Sequence, residues 1–433
     1  MSRPRMERRT AVVALVLAST ALLAGCTATA DPDDPTPTSA PDDVPVNPDG
    51  NLAVDDPDEE VPSADGIPQE LHQAQIEPIT ATDIVLVDDG DLEYSLQVVD
   101  PATGAAKTKI VTGPGIDGPV IHPFVGESSD DPAVLAAEVW RPRGSRGAAE
   151  FTISTYSGTL LEPRELALAE NTRLHSSPGS SAVTDDGAYF VAWDDGLYGV
   201  RVFDLEAGEA TGELALPGCG PFTWPVGRNI FSVCENSREL LHLAIQADGS
   251  IEEVERAAVL PEDFVSSREG SFGRGADTAL LVGGNGDAYV FDFSGGKLTD
   301  EVRPIGNAGQ DSGRFDEAVI NNPGTSMAVS YTDSPVHPDS EDAGDIMTIT
   351  LYDPSSFTTI ETLSAESNGL FSFDGFGYSV DGSTLYVQGT ADDEDEEVTL
   401  IGFDAATGAQ TSRVTVPDFV GDAERILTPQ VIE

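Results

Sequence analysis

One ten-residue phrase is written three times between residues 95 and 408. Ser95-Leu-Gln-Val-Val-Asp-Pro-Ala-Thr-Gly104 recurs as Gly199-Val-Arg-Val-Phe-Asp-Leu-Glu-Ala-Gly208 and again as Thr399-Leu-Ile-Gly-Phe-Asp-Ala-Ala-Thr-Gly408. Each copy is an alternating strand that ends in a polar turn. Weaker copies run from Phe151 to Gly158, Leu241 to Gly249, Ala288 to Gly295 and Met347 to Ser355. Taking Asp100, Tyr156, Asp204, Gln246, Asp292, Asp353 and Asp404 as equivalent points gives spacings of 56, 48, 42, 46, 61 and 51 residues. Seven copies of about fifty residues suit one four-stranded sheet each, arranged radially. The expected fold is therefore all-β: a single seven-bladed β-propeller of four-stranded antiparallel blades.

The full unit is clearest from Ser181 to Leu216. An inner strand at Ser181 to Thr184 leads through an Asp185-Asp186-Gly187 turn to a second strand, Tyr189 to Trp193. Leu197 to Asp204 is the third strand and Thr211 to Leu216 the outer edge. Tyr378 to Val416 repeats the scheme, with Ser379-Val-Asp-Gly-Ser at its start. The first copy, near Ile84, lacks an inner strand, while the chain runs on past the seventh copy. The tail Arg425-Ile-Leu-Thr-Pro-Gln-Val-Ile432 is expected to pair into the first blade and close the ring, since closure removes open edges. These residues resemble the YVTN-type and quinoprotein-like propeller repeats of bacterial secreted proteins. The resemblance covers nearly all of residues 80 to 433 and implies architecture rather than activity. No tryptophan follows the Asp-Ala-Ala-Thr-Gly408 turn, which speaks against a bound quinone, and Trp193-Asp194 falls outside the place of a WD40 signature.

The N-terminus speaks to compartment. Arg3, Arg5, Arg8 and Arg9 precede an uncharged, mostly apolar stretch from Ala11 to Ala24, which ends Leu22-Leu23-Ala24-Gly25-Cys26. A basic start, a short apolar core and small residues before a cleavage point make a secretory signal. The stretch is too short for a comfortable membrane span, which needs ~20 residues. The Leu-Ala-Gly-Cys ending resembles the bacterial lipoprotein signal, which implies that Cys26 is lipidated and becomes the mature N-terminus. Each buried CH₂ contributes ~0.8 kcal/mol and one acyl chain anchors only marginally, so several chains would be needed. From Thr27 to Ile67 the chain carries twelve acidic residues, no Lys or Arg, and many Pro, Thr and Ser. Such a segment cannot repay the entropy of ordering and is expected to be disordered. At ~3.1 Å per residue it reaches up to about 130 Å. The expected organisation is a signal peptide at 1–25, a lipidated Cys26 with an acidic Pro-rich tether at 26–67, and the propeller at 68–433. The expected location is the extracytoplasmic face of a cell membrane.

Charge excludes some partners. Lys and Arg number 22 against 76 Asp and Glu, a formal charge of −54. Such a surface repels nucleic acid and anionic membrane faces. Its plainest role is solubility, and the three lysines (Lys107, Lys109, Lys297) reflect the same bias.

With Cys26 assigned to lipid, Cys219 and Cys234 remain. Their midpoint lies between Val226 and Gly227, so a two-residue turn there sets them opposite each other on a hairpin of Cys219 to Pro225 and Arg228 to Cys234. Export permits oxidation, and opposed Cβ atoms stand ~4.5–5.5 Å apart. A structural disulfide is expected, worth about 3 kcal/mol in the chain-entropy picture.

A search for chemistry finds no GxSxG, HExxH, CxxC or P-loop pattern, and nothing that joins a nucleophile to a base. Gly270-Ser-Phe-Gly-Arg-Gly275 reads as a tight blade-to-blade connection. The acidic clusters Asp392 to Glu397 and His337 to Asp345 lack the spaced ligands of an EF-hand and read as solvated loops, with weak calcium binding as the alternative. His122 and His175 fall where the inner strands of the second and third blades should begin. The tract Cys219-Gly to Ile230-Phe-Ser-Val-Cys234-Glu-Asn is similar to a Cys-pair region of the AztD-like propellers, extracytoplasmic zinc chaperones. That resemblance implies zinc ligation by His122 and His175. The family's His-rich segments are missing, two ligands make a poor site, and Arg274 and Arg314 near the channel would repel a cation. The leading reading is a non-catalytic binding module, without cofactor, for an extracellular protein, peptide or glycan. Metal handling is the alternative, and a propeller-based hydrolase or lyase is the third.

Overall fold

The computed structural model describes residues 75–432, apart from 89–93, 113–119, 141–149, 170, 176–178, 235, 263, 265–271, 275–276, 284–285, 294, 299–301, 307–313, 333–344, 392–397 and 418–422. The signal, Cys26, the tether and both acidic clusters lie outside these residues, apart from Asp345 at the end of the second cluster. Seven antiparallel sheets follow one another along the chain. Blade 3 shows the plan: Ser181–Val183 innermost, then Tyr189–Asp194, Gly199–Asp204 and Glu209–Ala215 at the rim. The other inner strands are Val120–Val125 in blade 2, Trp224–Val226 in blade 4, Phe272–Arg274 in blade 5, Arg314–Ile320 in blade 6 and Gly375–Tyr378 in blade 7. The only helix among the described residues is a single 3₁₀ turn, Glu366–Asn368.

The recurring phrase has a physical explanation in its turn. Asp100 Oδ1 accepts from the Ala102 N–H (2.9 Å), Asp204 Oδ1 from Ala207 (2.8 Å) and Asp404 Oδ1 from Thr407 (2.9 Å). The glycine four residues on takes φ of 74°, 75° and 70° at Gly104, Gly208 and Gly408. Aspartate satisfies the turn's own amides and glycine supplies the left-handed step, which is why the pair recurs at these three third-to-outer strand corners.

Cohesion lies between blades. Seven apolar clusters occupy the seven interfaces, one each. At the junction of blades 4 and 5, Trp224, Phe231, Tyr289, Phe291 and Phe293 pack together, with the Phe231 and Phe293 rings 4.0 Å apart. The junction of blades 7 and 1 is aliphatic, built from Ile84, Leu86, Val398, Leu400 and Ile426.

The ring closes through the C-terminus, as expected. Ala423–Leu427 pairs antiparallel with Ile84–Asp88 and is the inner strand of blade 1. The chain then does something the sequence reading did not foresee. Gln430–Val431 adds a parallel fifth strand beside Val120–Val125 of blade 2. Thr428 Oγ1 donates to the Tyr378 carbonyl of blade 7 (2.7 Å), and Gln430 Nε2 donates to the Thr184 carbonyl of blade 3 (3.1 Å). Ile432 ends against Gly187. All these partners sit at the C-terminal ends of inner strands, so residues 428–432 form a strap across one end of the ring.

Two expectations are corrected. Ser379 to Ser383 is the turn after the blade 7 inner strand, with Gly382 at φ 71°. Phe272–Arg274, read as part of a connection, is the inner strand of blade 5, because it pairs with Ala279 to Leu281.

Candidate functional site

Inner strands surround the axis, so polar side chains on them are the natural place to look for a site. Blade 6 contributes Arg314-Phe-Asp-Glu-Ala-Val-Ile320. Regular alternation would send Asp316 and Glu317 to opposite faces. The register prevents it: Phe315 pairs with Tyr331 and Ala318 with Val329, so the two acids share the single residue Ser330. This is a β-bulge. Phe315 and Ala318 both pack toward blade 5, which leaves the two intervening carboxylates on the other side. Ser330 pins the bulge, its Oγ accepting from the Glu317 N–H (2.7 Å).

Two arginines bear on this pair. Arg314 Nη2 stands 3.7 Å from Asp316 Oδ1. Arg425, on the blade 1 inner strand, acts electrostatically on Glu317 from beyond blade 7. The intervening strand, Gly-Phe-Gly-Tyr378, makes that possible. A Cβ on Gly377 would lie 2.6 Å from the Ile426 carbonyl oxygen, so only glycine lets blades 7 and 1 approach this closely.

Burial dominates the electrostatics. It raises the Asp316 carboxyl above the usual range, against the pull of Arg314. Burial, then the neighbouring Asp316 charge, pushes Glu317 up to about 8, with Arg425 opposing too weakly to offset them. Glu317 is thus enveloped by protein yet keeps a little accessible surface, as a group set into a channel wall does. At neutral pH it holds its proton and can donate a hydrogen bond.

Two buried polar atoms beside this cluster have no hydrogen-bond partner among the described residues: Arg314 Nε and Thr332 Oγ1. Arg314 and Thr332 are direct cross-strand partners, so their side chains share a face. Thr332 is fully buried.

The histidines are placed separately. His122 is the third residue of the blade 2 inner strand. Its Nε2 lies 2.9 Å from Ser181 Oγ at the start of the blade 3 inner strand, and its ring meets Phe190 edge-on. So a hydroxyl and an imidazole do come together, where the sequence search found no such pair. His175 lies on the segment entering blade 3 rather than on the inner strand. It is hydrogen-bonded to Asp195 (3.1 Å), with its amide bound to the Trp193 carbonyl. Among the described residues no group of three or more His, Cys, Asp or Glu is arranged to hold a metal ion. The Arg274 side chain lies outside the described ones.

Cys219 and Cys234 form the expected disulfide, beside the apolar cluster of blades 3 and 4. The hairpin differs in register. Val226 pairs with Asn229, so the turn is Gly227-Arg228 with Gly227 at φ 58°, one residue later than the midpoint rule gives. Cys219 is not opposite Cys234 in the ladder. It reaches it from the preceding turn, where its amide bonds to Leu216 and the next amide, Gly220, to Val233.

Asp316, Glu317, Thr332 and Arg425 were not singled out from sequence as site residues. The available signal was modest: three charged residues within four positions of an inner strand, where other described inner strands carry at most one or two polar groups.

No known family pattern matches the sequence, and no curated protein matches it. Solved structures do. A functionally unknown protein from Desulfotomaculum acetoxidans aligns at 12% identity over 80% of this chain and 99% of its own, with a TM-score of 0.50. A candidate 6-phosphogluconolactonase from Bacteroides fragilis aligns at 14% over 80% and 98%, with a TM-score of 0.52. A Lactobacillus plantarum protein gives 14%, 80%, 98% and 0.52. At such identities the likeness establishes the fold alone: the chain is a seven-bladed β-propeller.

Proposed function

We propose that this chain is an exported, lipid-anchored propeller that works as a binding module and receives its ligand at one end of the ring. The observation that carries the reading is the unlikeness of the two ends. The strap 428–432 crosses the end where inner strands finish. At the opposite end the blade-to-blade connections and second-to-third strand turns emerge, and the inner strands begin there with Ser181 and Arg314. That end also carries the exposed aromatics Tyr198, on a blade 3 turn, and Phe371, on the connection into blade 7. Exposed aromatics suit a protein, peptide or glycan surface. The signal-like N-terminus ending at Cys26 and the acidic tether support placing this face outside the cell, clear of the membrane.

The test is photo-crosslinking on whole cells. A crosslinker at Tyr198 or Phe371 should trap a specific adduct, and one at Asp381, on the strap end, should not. Equal capture at both ends contradicts the reading. A Cys26→Ser chain should leave the membrane fraction.

A hydrolase is the second reading, favoured by the Ser181 Oγ to His122 Nε2 contact, an arrangement in which imidazole can take the hydroxyl proton. A fluorophosphonate probe should then label Ser181 and lose that labelling in His122→Ala. Absence of label removes the reading. Zinc handling by His122 and His175 predicts tight zinc binding that either alanine variant weakens. Against it, each imidazole already has a different partner.

A further inference from the structure

The interior of a propeller this acidic is an unexpected place for two arginines and two unmatched donors. Surface carboxylates on this chain are plentiful, and exposed arginines such as Arg256 are held by them, here by Glu239 and Glu253. At the axis the pairing is looser. Arg314 faces Asp316 at 3.7 Å, beyond good hydrogen-bond length. Its Nε is buried and unmatched among the described residues, as is Thr332 Oγ1 directly across the strand. A buried polar atom left alone is destabilising, a penalty that a ligand oxygen would remove.

We propose that Arg314, Arg425, Thr332 and Glu317 form a binding site for the carboxylate group of a ligand.

Geometry and charge agree with that class. Arginine presents a planar fork that matches a carboxylate. Among the described residues, two guanidinium groups against Asp316, with Glu317 holding its proton, leave one surplus positive charge, which suits a monoanion better than a phosphate dianion. Protonated Glu317 donates to a carboxylate oxygen where an ionised glutamate would repel it. The bulge is what makes the set possible, because it puts Glu317 on the same side as Asp316. Gly377 does the same for Arg425. The proposal rests on the binding reading above only in taking the ligand from the end of the ring where the Arg314 strand begins. It is tested with purified protein, so its failure leaves the crosslinking result untouched.

The experiment is calorimetric titration of the full chain in detergent with three probes: D-gluconate, D-glucose and inorganic phosphate. Gluconate should bind, glucose should not, and phosphate should bind more weakly than gluconate. Arg314→Gln and Arg425→Gln should each weaken gluconate at least about tenfold. Thr332→Val, which keeps the shape and is the mildest change, should weaken it several-fold. Arg256→Gln, on the outer strand of blade 4, should leave it unchanged. Should an arginine variant fail to fold, Thr332→Val carries the test alone. No gluconate binding, phosphate preferred to gluconate, or gluconate binding that survives these substitutions would each overturn the proposal.

Discussion

The junction of blades 4 and 5 and the sector formed by blades 6, 7 and 1 solve different problems with the same repeat. In the first, Trp224, Phe231, Phe291 and Phe293 fill the interface, and the Cys219–Cys234 disulfide ties down the entrance to blade 4. In the second, the inner strands carry Arg314, Asp316, Glu317 and Arg425, blade 7 offers Gly375 and Gly377, and the core between blades 7 and 1 is aliphatic. One junction is dry and spends its side chains on cohesion. The other keeps charge where burial penalises it, which a scaffold has no reason to do. The proposed site rests on this difference, which sets blades 6, 7 and 1 apart from the rest of the ring.

Closure underlies both regions, and its loss has the largest expected effect. A chain ending at residue 422 loses the inner strand of blade 1 and the strap, exposing edges at Ile84–Asp88 and Val120–Val125. Circular dichroism and size exclusion should show an unfolded or aggregated protein. A soluble, cooperative monomer would break the account.

Within the dry junction, Phe231→Ala should cost about 3–5 kcal/mol in denaturant unfolding, the range for an aromatic removed from a filled core. Reduction of Cys219–Cys234, or Cys219→Ala with Cys234→Ala, should cost about 3 kcal/mol. Neither change should alter gluconate affinity. A shift in affinity with either would blur the division between the two regions.

In the charged sector the signature is pH dependence. Glu317 holds its proton more tightly folded, at about 8, than unfolded, so the native state binds the extra proton. Stability from this group is present at low pH and falls as pH rises from the ordinary glutamate range through 8. Between pH 6 and 8 the loss should be roughly 2 kcal/mol. Asp316 and Arg425 are the charged groups acting on it. Glu317→Gln should flatten that slope and be the more stable protein at pH 8, and an unchanged slope would show the proton lies elsewhere.

How much of this was legible in the sequence follows from the kind of information each feature carries. The Asp-to-Gly corner repeats because its geometry permits few alternatives, so blade number and order could be read from Asp100, Asp204, Asp404 and their four weaker copies, and closure from the tail that runs past the seventh. The disulfide could be read from two cysteines left over in a chain whose N-terminus resembles an export signal. The site could not, since it depends on one inserted residue. A bulge at Asp316-Glu317 leaves no mark that distinguishes it from ordinary alternation, and its effect is to bring together groups from strands separated by more than a hundred residues. The hairpin slipped for a related reason. Gly227 at φ 58° fits the first turn position, and this fixes the register one residue away from the symmetry of the cysteines. His175 falls short of the inner strand's start because the connection into blade 3 is long and carries strand-like pairing of its own, Leu174 with Asp194.

The central claim is that the working site lies at the axis among blades 6, 7 and 1. A crystal structure of the full chain grown with D-gluconate tests it most directly. The account predicts density for the carboxylate between Arg314 and Arg425, within hydrogen-bond reach of Glu317 and Thr332. Gluconate bound elsewhere, or an axis unchanged in its presence, would contradict it.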